Sequence, residues 1–199
     1  MALLPYMEAG RLEAGIDEAG RGCLAGPVVA AAVILPPDFQ HPTLNDSKKL
    51  NHKKRLELRE VVLAEALSWN LGVISAPRID QVNILNATYE AMHEAVRGLG
   101  KQPEFLLIDG NRFRPYPEIE HACVIKGDGK YLSIAAASIL AKTYRDEIMG
   151  FLGAEYPDFE WTQNKGYPTK RHREVLKELG PTPYHRQSFG PVNQLRLFS

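Results

Sequence analysis

Gly15-Ile16-Asp17-Glu18-Ala19-Gly20-Arg21-Gly22, continued by Leu24-Ala25-Gly26-Pro27 and the apolar run Val28-Val29-Ala30-Ala31-Ala32-Val33-Ile34-Leu35, is the stretch on which the fold turns. A short segment, residues 12–16, leads into two adjacent carboxylates. Gly20, Arg21 and Gly22 then force a turn. Residues 28–35, rich in Val and Ala and closed by Pro36 and Pro37, read as a buried strand. So short a connection makes these two strands antiparallel neighbours.

Outward from this hairpin, residues 36–46 read as a loop. Ser47 or Asn51 can cap a helix running to about Leu67. Residues 71–75 suggest a strand, and 83–99 a helix stopped at Gly98 or Gly100. The run FLLID at 105–109 and residues 122–125 suggest two more strands. A helix over 133–149 carries alanines at 135, 136, 137 and 141 that allow close packing. Residues 169–179 read as a basic helix ended by Gly180 and Pro181, and the tail from Thr182 reads as irregular. Strands first, then helices alternating with strands, predict an α/β domain on a mixed sheet.

The chain has 199 residues, 44% hydrophobic and 24% charged, which suits one ordinary globular domain able to bury a core without disulfides. Residues 28–35 are far too short to span a bilayer, which takes about 20 apolar residues. Residues 1–10 carry Glu8 and no basic region, so no signal peptide is expected. Cys23 and Cys123 are expected to be reduced, buried hydrophobes in a cytoplasmic protein. The 24 basic and 24 acidic residues cancel, which gives no reason to expect strong nonspecific binding over the whole surface. The cancellation is uneven: residues 165–199 hold seven basic and two acidic side chains, and the remainder is acidic.

Carboxylates stand out where solvation does not explain them. Asp17 and Glu18 close one strand, Asp109 closes another, Asp128 lies between Gly127 and Gly129, and Asp146 lies in a helix. Strand ends are the usual ligand crevice of α/β sheets, and a carboxylate there is costly to bury unless paired or bound to a metal. Several carboxylates without matching His or Cys suit a hard cation, Mg²⁺ or Mn²⁺, over zinc. Such a cluster is what phosphodiester hydrolysis needs. Neighbours on a strand point to opposite faces, so Asp17 and Glu18 share a site only if the strand ends or bends there; otherwise Glu18 contributes its backbone carbonyl.

These residues resemble the type 2 ribonuclease H family (ribonuclease HII). The resemblance begins at residues 15–22 and 24–28 and continues through Asp46-Ser47-Lys48-Lys49-Leu50, Leu107-Ile108-Asp109-Gly110 and Lys126-Gly127-Asp128. It returns in the helix from Ser133 to Lys142 with Arg145-Asp146, in Asn164-Lys165-Gly166-Tyr167-Pro168-Thr169, and in His185-Arg186-Gln187-Ser188-Phe189. It implies a ribonuclease H-like three-layer fold: a mixed five-stranded sheet flanked by helices, with a small C-terminal helical or irregular extension. Residues 1–192 would form the catalytic domain with its substrate-binding segment, and 193–199 a tail. It also implies a metal-dependent endonuclease acting on RNA/DNA hybrids and on ribonucleotides embedded in duplex DNA, cutting on their 5′ side to leave a 3′-hydroxyl. By the family's pattern Asp17, Glu18, Asp109 and Asp128 would be the catalytic and metal-binding quartet, a site for two ions, Mg²⁺ or Mn²⁺.

Distinguishing RNA from DNA rests on one hydroxyl that both donates and accepts. Gly20, Arg21 and Gly22 suit that task, because glycines let backbone groups approach a sugar. Tyr167 could stack on a sugar or base; the resemblance implies that it packs against the nucleotide after the ribonucleotide. Lys48 and Lys165 are the expected phosphate contacts within two basic runs. Gln194-Leu195-Arg196-Leu197-Phe198 resembles the peptide that docks bacterial replication and repair proteins on the sliding clamp, with Leu197 and Phe198 entering an apolar pocket and Leu195 and Gln194 beside them. A monomer is the default expectation. Two competing readings are a non-catalytic, clamp-tethered adaptor on the same fold, and a nuclease of that fold directed at junction DNA.

Overall fold

The computed structural model describes residues 3–44 and 51–196. A five-stranded sheet in the order β3-β2-β1-β4-β5 forms the centre. Its strands are β1 (Glu13–Ala19), β2 (Val28–Ile34), β3 (Ser68–Ile74), β4 (Phe105–Asp109) and β5 (Glu120–Val124). β1 pairs antiparallel with β2, and β2 with β3, as the short connection predicts. β1, β4 and β5 are parallel, so the sheet is mixed.

The pleat assigns each strand residue a layer. Ala14, Ile16, Ala30, Ala32, Leu106 and Ile108 face α2 (Ala76–Arg97), where they meet Ile79, Ala91 and Ala95. Ala31, Val33 and Leu107 face the other way, toward α3 (Leu132–Glu155) and α1 (His52–Glu65). α3 lies very close to the sheet: a β-carbon on Gly15 would stand 2.1 Å from the Ser133 carbonyl carbon. Ala135, Ala136, Ala137 and Ala141 are all fully buried, which is what the alanine run permits.

Asn51 caps α1, its side chain accepting from the Lys54 amide at 2.8 Å. α2 begins seven residues before the expected start. Its first turns, 76–82, precede a break at Asn83, whose φ of 66° is left-handed and whose side chain accepts from the Asn86 amide. The expected helix from residue 83 is thus the second segment of a broken one.

The C-terminal part comprises α4 (Trp161–Asn164), α5 (Lys170–Leu179) and α6 (Gly190–Arg196). The expectation of an irregular tail is corrected by α6, which anchors Val192 among Leu24, Ala25, Met149, Phe159, Trp161, Val175 and Leu176. The helix runs across the expected boundary at 192/193. This third core therefore fixes the residues after the Gly20–Gly22 turn against the end of α3. The Asp80 carboxylate adds a second tie, accepting from the Gln187 and Ser188 amides at 2.9 and 2.8 Å. Cys23 is buried and Cys123 only half-buried, a partial correction, and neither is in a disulfide. No helix among the described residues is long and apolar enough to cross a membrane.

Candidate active site

Parallel strands that start level also finish level. The register Ile16↔Ile108 places Asp17 and Asp109 one step further on, side by side at the C-terminal edge of the sheet. Asp17 lies on the α3 layer, where the Ser138 hydroxyl hydrogen-bonds to it. Its Oδ1 also accepts from the Glu18 amide at 2.7 Å. Asp109 Oδ1 accepts from the Gly127 amide at 2.7 Å, which ties β4 to the single 3₁₀ turn Gly127–Gly129.

β1 does not end at Glu18. It continues to Ala19, paired with β2 as far as Ala19↔Val29, while its pairing with β4 stops at Ile16. The edge beyond Ile16 is open, and Asp17 and Glu18 both line the cavity that begins there. This cavity, of about 300 Å³, is walled by Asp17, Glu18, Ala19, Gly20, Arg21, Gly22, Arg55, Asp109, Ser138, Lys142 and Tyr167. Glu18 is among the wall residues, and Arg21 engages its carboxylate at 3.1 Å.

The structure thus gathers Asp17, Glu18, Asp109, the Gly20–Gly22 turn and Tyr167. Asp128 is buried on the 3₁₀ turn beside Asp109's partner Gly127 and is not part of the cavity wall. Lys165 is also off the wall: its Nζ turns to the Asp146 carbonyl at 3.3 Å. Lys48, Leu197 and Phe198 lie outside the described residues, as does the side chain of Leu195; Gln194 is exposed on α6. Sequence reasoning placed Arg55 only within a basic run that would hold phosphates and gave no role to Ser138 or Lys142. Ser138, Lys142 and Asp146 recur every four residues along one face of α3, and Lys142 forms an ion pair with Asp146.

The electrostatics are those of crowded acids. Burial, then the Glu18 and Asp109 carboxylates, hold Asp17 well above the usual carboxylate range. Burial also raises Glu18, against the opposing pull of Arg21. Among the described residues no three His, Cys, Asp or Glu side chains already converge as metal ligands; Glu18 is held by Arg21 and Asp109 by the Gly127 amide. The donor chemistry nonetheless fits a hard divalent cation: oxygen-only, desolvated and mutually repelling, so that positive charge relieves the strain.

Two buried arginines build the turn. Arg186 donates to the carbonyls of Gly20 (2.7 Å), Arg21 (2.9 Å), Gly26 (3.0 Å) and Pro27 (3.2 Å). Arg145 donates to Pro27, Ala25 and Lys165 at 2.9, 3.1 and 2.9 Å. The turn and the Tyr167 loop are thereby joined through one guanidinium. Sequence reasoning assigned neither arginine.

Comparison with known proteins gives consistent relatives. A family profile, Ribonuclease HII, matches residues 14–192. A Ribonuclease HII of Parabacteroides distasonis is 64% identical over 187 residues, covering 94% of each chain. The crystal structure of ribonuclease H2 from Pyrococcus horikoshii superposes with a TM-score of 0.81 at 24% identity, covering 94% of this chain and 97% of that one, a likeness of fold. The ribonuclease HII in a complex with PCNA from Archaeoglobus fulgidus matches with a TM-score of 0.74 at 29% identity, over 89% of this chain and 95% of that one.

Proposed function

The chain belongs to the ribonuclease HII family and is an endoribonuclease that cleaves the RNA of RNA/DNA hybrids; from that premise we propose that it also incises duplex DNA on the 5′ side of an embedded ribonucleotide, leaving 3′-hydroxyl and 5′-phosphate ends. Family membership sets aside the non-catalytic adaptor. The observation that carries the finer reading is the meeting, in one cavity, of three carboxylates with the Gly20–Gly22 turn and Tyr167. Asp17, Glu18 and Asp109, with Asp128 beside them, would hold two divalent cations, Mg²⁺ or Mn²⁺. Bound there, such ions supply activation of the attacking water and stabilisation of the leaving oxygen.

The chain's own residues do the selecting. Backbone groups of Gly20, Arg21 and Gly22 face the 2′-hydroxyl, and Tyr167 packs on the following nucleotide. Lys142 and Arg55 on the cavity wall, with Lys48 and Lys165 nearby in sequence to the site's loops, contact phosphates. The exposed Gln194 and the segment Gln194-Leu195-Arg196-Leu197-Phe198 dock on a sliding clamp; the complex of the Archaeoglobus relative with PCNA supports that reading. We place the protein in the cytoplasm, as a monomer.

The test is a labelled DNA duplex carrying one ribonucleotide, incubated with and without Mg²⁺ and Mn²⁺, with the cut mapped. Metal-dependent cleavage at the DNA–RNA step 5′ of the ribonucleotide is expected. A DNA-only duplex cut as fast, or a cut 3′ of the ribonucleotide, overturns the reading.

A further inference from the structure

Behind Tyr167 stands a group of buried side chains that the cleavage chemistry does not use. Trp161 and His172 are fully buried and His185 is 1% exposed. The direction of each hydrogen bond between them can be fixed in turn. The Thr182 amide donates to His185 Nδ1 at 3.0 Å, so that nitrogen carries no proton and the neutral ring is protonated on Nε2. His172 Nδ1 lies 2.9 Å from the Tyr167 carbonyl oxygen, which can only accept, so His172 carries its proton on Nδ1. His172 Nε2 is then the acceptor, shared by Trp161 Nε1–H at 3.2 Å and His185 Nε2–H at 3.1 Å. The pattern closes only with both rings neutral. Burial lowers both pKa values, that of His185 to about 3, where the neighbouring His172 adds to the effect.

This series of donors ends on the backbone of Tyr167. The same carbonyl accepts from the Thr169 amide at 2.8 Å, and the Tyr167 amide donates to the Asn164 carbonyl at 2.9 Å. Just before the tyrosine, Lys165 (φ 53°) and Gly166 (φ 81°) are both left-handed, a conformation that a lysine seldom adopts unless its surroundings impose it. Tyr167 itself is 41% exposed and lines the cavity.

We infer that His172 is a positioning residue for the substrate: its Nδ1–H, bonded to the Tyr167 carbonyl, fixes where the tyrosine ring meets the nucleic acid, while His185, Trp161 and Thr182 lock the imidazole in the tautomer that can donate. The inference rests on the reading of Tyr167 as a substrate contact.

Two conservative variants separate this role from a structural one. His172→Gln keeps an oxygen near Nε2 to accept from Trp161 and His185, but has no donor for the Tyr167 carbonyl. His172→Asn keeps a donor at the Nδ1 position and gives up the acceptor. A structural role makes activity follow stability, with Gln the better substitute on both counts. Positioning reverses the order on the single-ribonucleotide duplex: the Asn variant melts lower yet keeps nearly the wild-type KM, whereas the Gln variant melts higher with KM raised about fivefold and kcat changed less. Should the Asn variant not fold, a double-mutant cycle decides with Gln alone. Tyr167→Ala raises KM roughly tenfold, and in that background His172→Gln adds nothing. Independent, additive effects, or an unchanged KM in His172→Gln beside a raised one in Tyr167→Ala, overturn the inference. An unchanged KM in Tyr167→Ala removes the substrate reading of that tyrosine, and this inference falls with it.

Discussion

Arg145 fills the space that a side chain at Gly20 would occupy: a β-carbon there would stand 2.0 Å from Arg145 Nε. Gly20 is also left-handed, at φ 97°. Gly22 has neither constraint, since a β-carbon on it meets no atom within 4 Å. The two glycines of one turn therefore differ: the fold requires Gly20, and we propose that Gly22 serves the approach of the substrate. Gly20→Ala is expected to lower the thermal midpoint by several degrees, about 1–3 kcal/mol of strain. Gly22→Ala is expected to leave the midpoint within about 2 °C and to reduce cleavage at a ribonucleotide at least tenfold. Calorimetry and the single-ribonucleotide assay check the pair, and a fully active Gly22→Ala enzyme excludes close backbone approach at that residue.

Arg186 satisfies four carbonyl oxygens with one guanidinium, and low local polarity brings its pKa down to about 10. Arg186→Met removes that donor from the Gly20, Arg21 and Gly26 oxygens, while the Pro27 oxygen keeps Arg145. A loss of roughly 3 kcal/mol or more is expected, a drop of about 6–12 °C for a domain of this size. Arg186→Lys recovers only part of it, because an ammonium cannot reach four acceptors from one point. Equal stability of the Lys variant and the wild type would speak against the geometric role.

Asp17→Asn is expected to abolish cleavage while leaving binding of a hybrid largely intact. It should also raise the melting temperature of the protein in chelator by a few degrees. Burial and the carboxylates of Glu18 and Asp109 disfavour ionised Asp17 in the folded state alone, so removing the charge relieves a native-state penalty. Added Mg²⁺ should narrow the difference by stabilising the wild type. A less stable, still active Asn variant contradicts both parts.

The His172–His185 pair predicts acid sensitivity of a definite sign. Unfolded histidines take up protons near pH 6.5, whereas folded His185 does so only near pH 3. The unfolded state thus binds more protons between these values, and the pair's contribution to stability is full above pH 6.5 and declines as pH falls toward 3. NMR should show His185 as the neutral Nε2–H tautomer at pH 5. Across this window the wild type should lose stability relative to His185→Gln. A ring titrating near pH 6.5 in the folded protein contradicts the assignment.

Removal of residues 194–199 is expected to abolish binding to a bacterial sliding clamp and to leave cleavage of a short free duplex within about twofold. Val192, which packs into the third core, is retained in that deletion. Unchanged clamp affinity, measured by surface plasmon resonance, would sink the tail assignment.

The carboxylates could be read from sequence because strand ends are marked locally: an apolar run, then Asp17 or Asp109, then glycine. Parallel pairing of β1 with β4 brings them together; alternation of strands with helices implied a mixed sheet but not which strands pair. Glu18 was harder, since strict alternation sends it to the opposite face; the unpaired edge beyond Ile16 that admits it is a property of the sheet. The first turns of α2 escaped notice because Pro77 and the break at Asn83 interrupt the periodicity. α6 is seven residues long and begins at Gly190-Pro191, so little local signal announces it. Arg145 and Arg186 left no local pattern, because their partners are carbonyl oxygens up to 166 residues away.

That separation also sets an order in time. The turn at residues 20–27 emerges from the ribosome long before the side chain that braces it. At roughly 5–20 residues per second, about ten to thirty seconds of synthesis separate Gly20 from Arg186. Late in that interval the nascent chain holds all four acids of the proposed quartet but still lacks the brace on the turn proposed to read the ribonucleotide. On the proposed reading, discrimination between RNA and DNA is in this sense one of the last properties the growing polypeptide acquires.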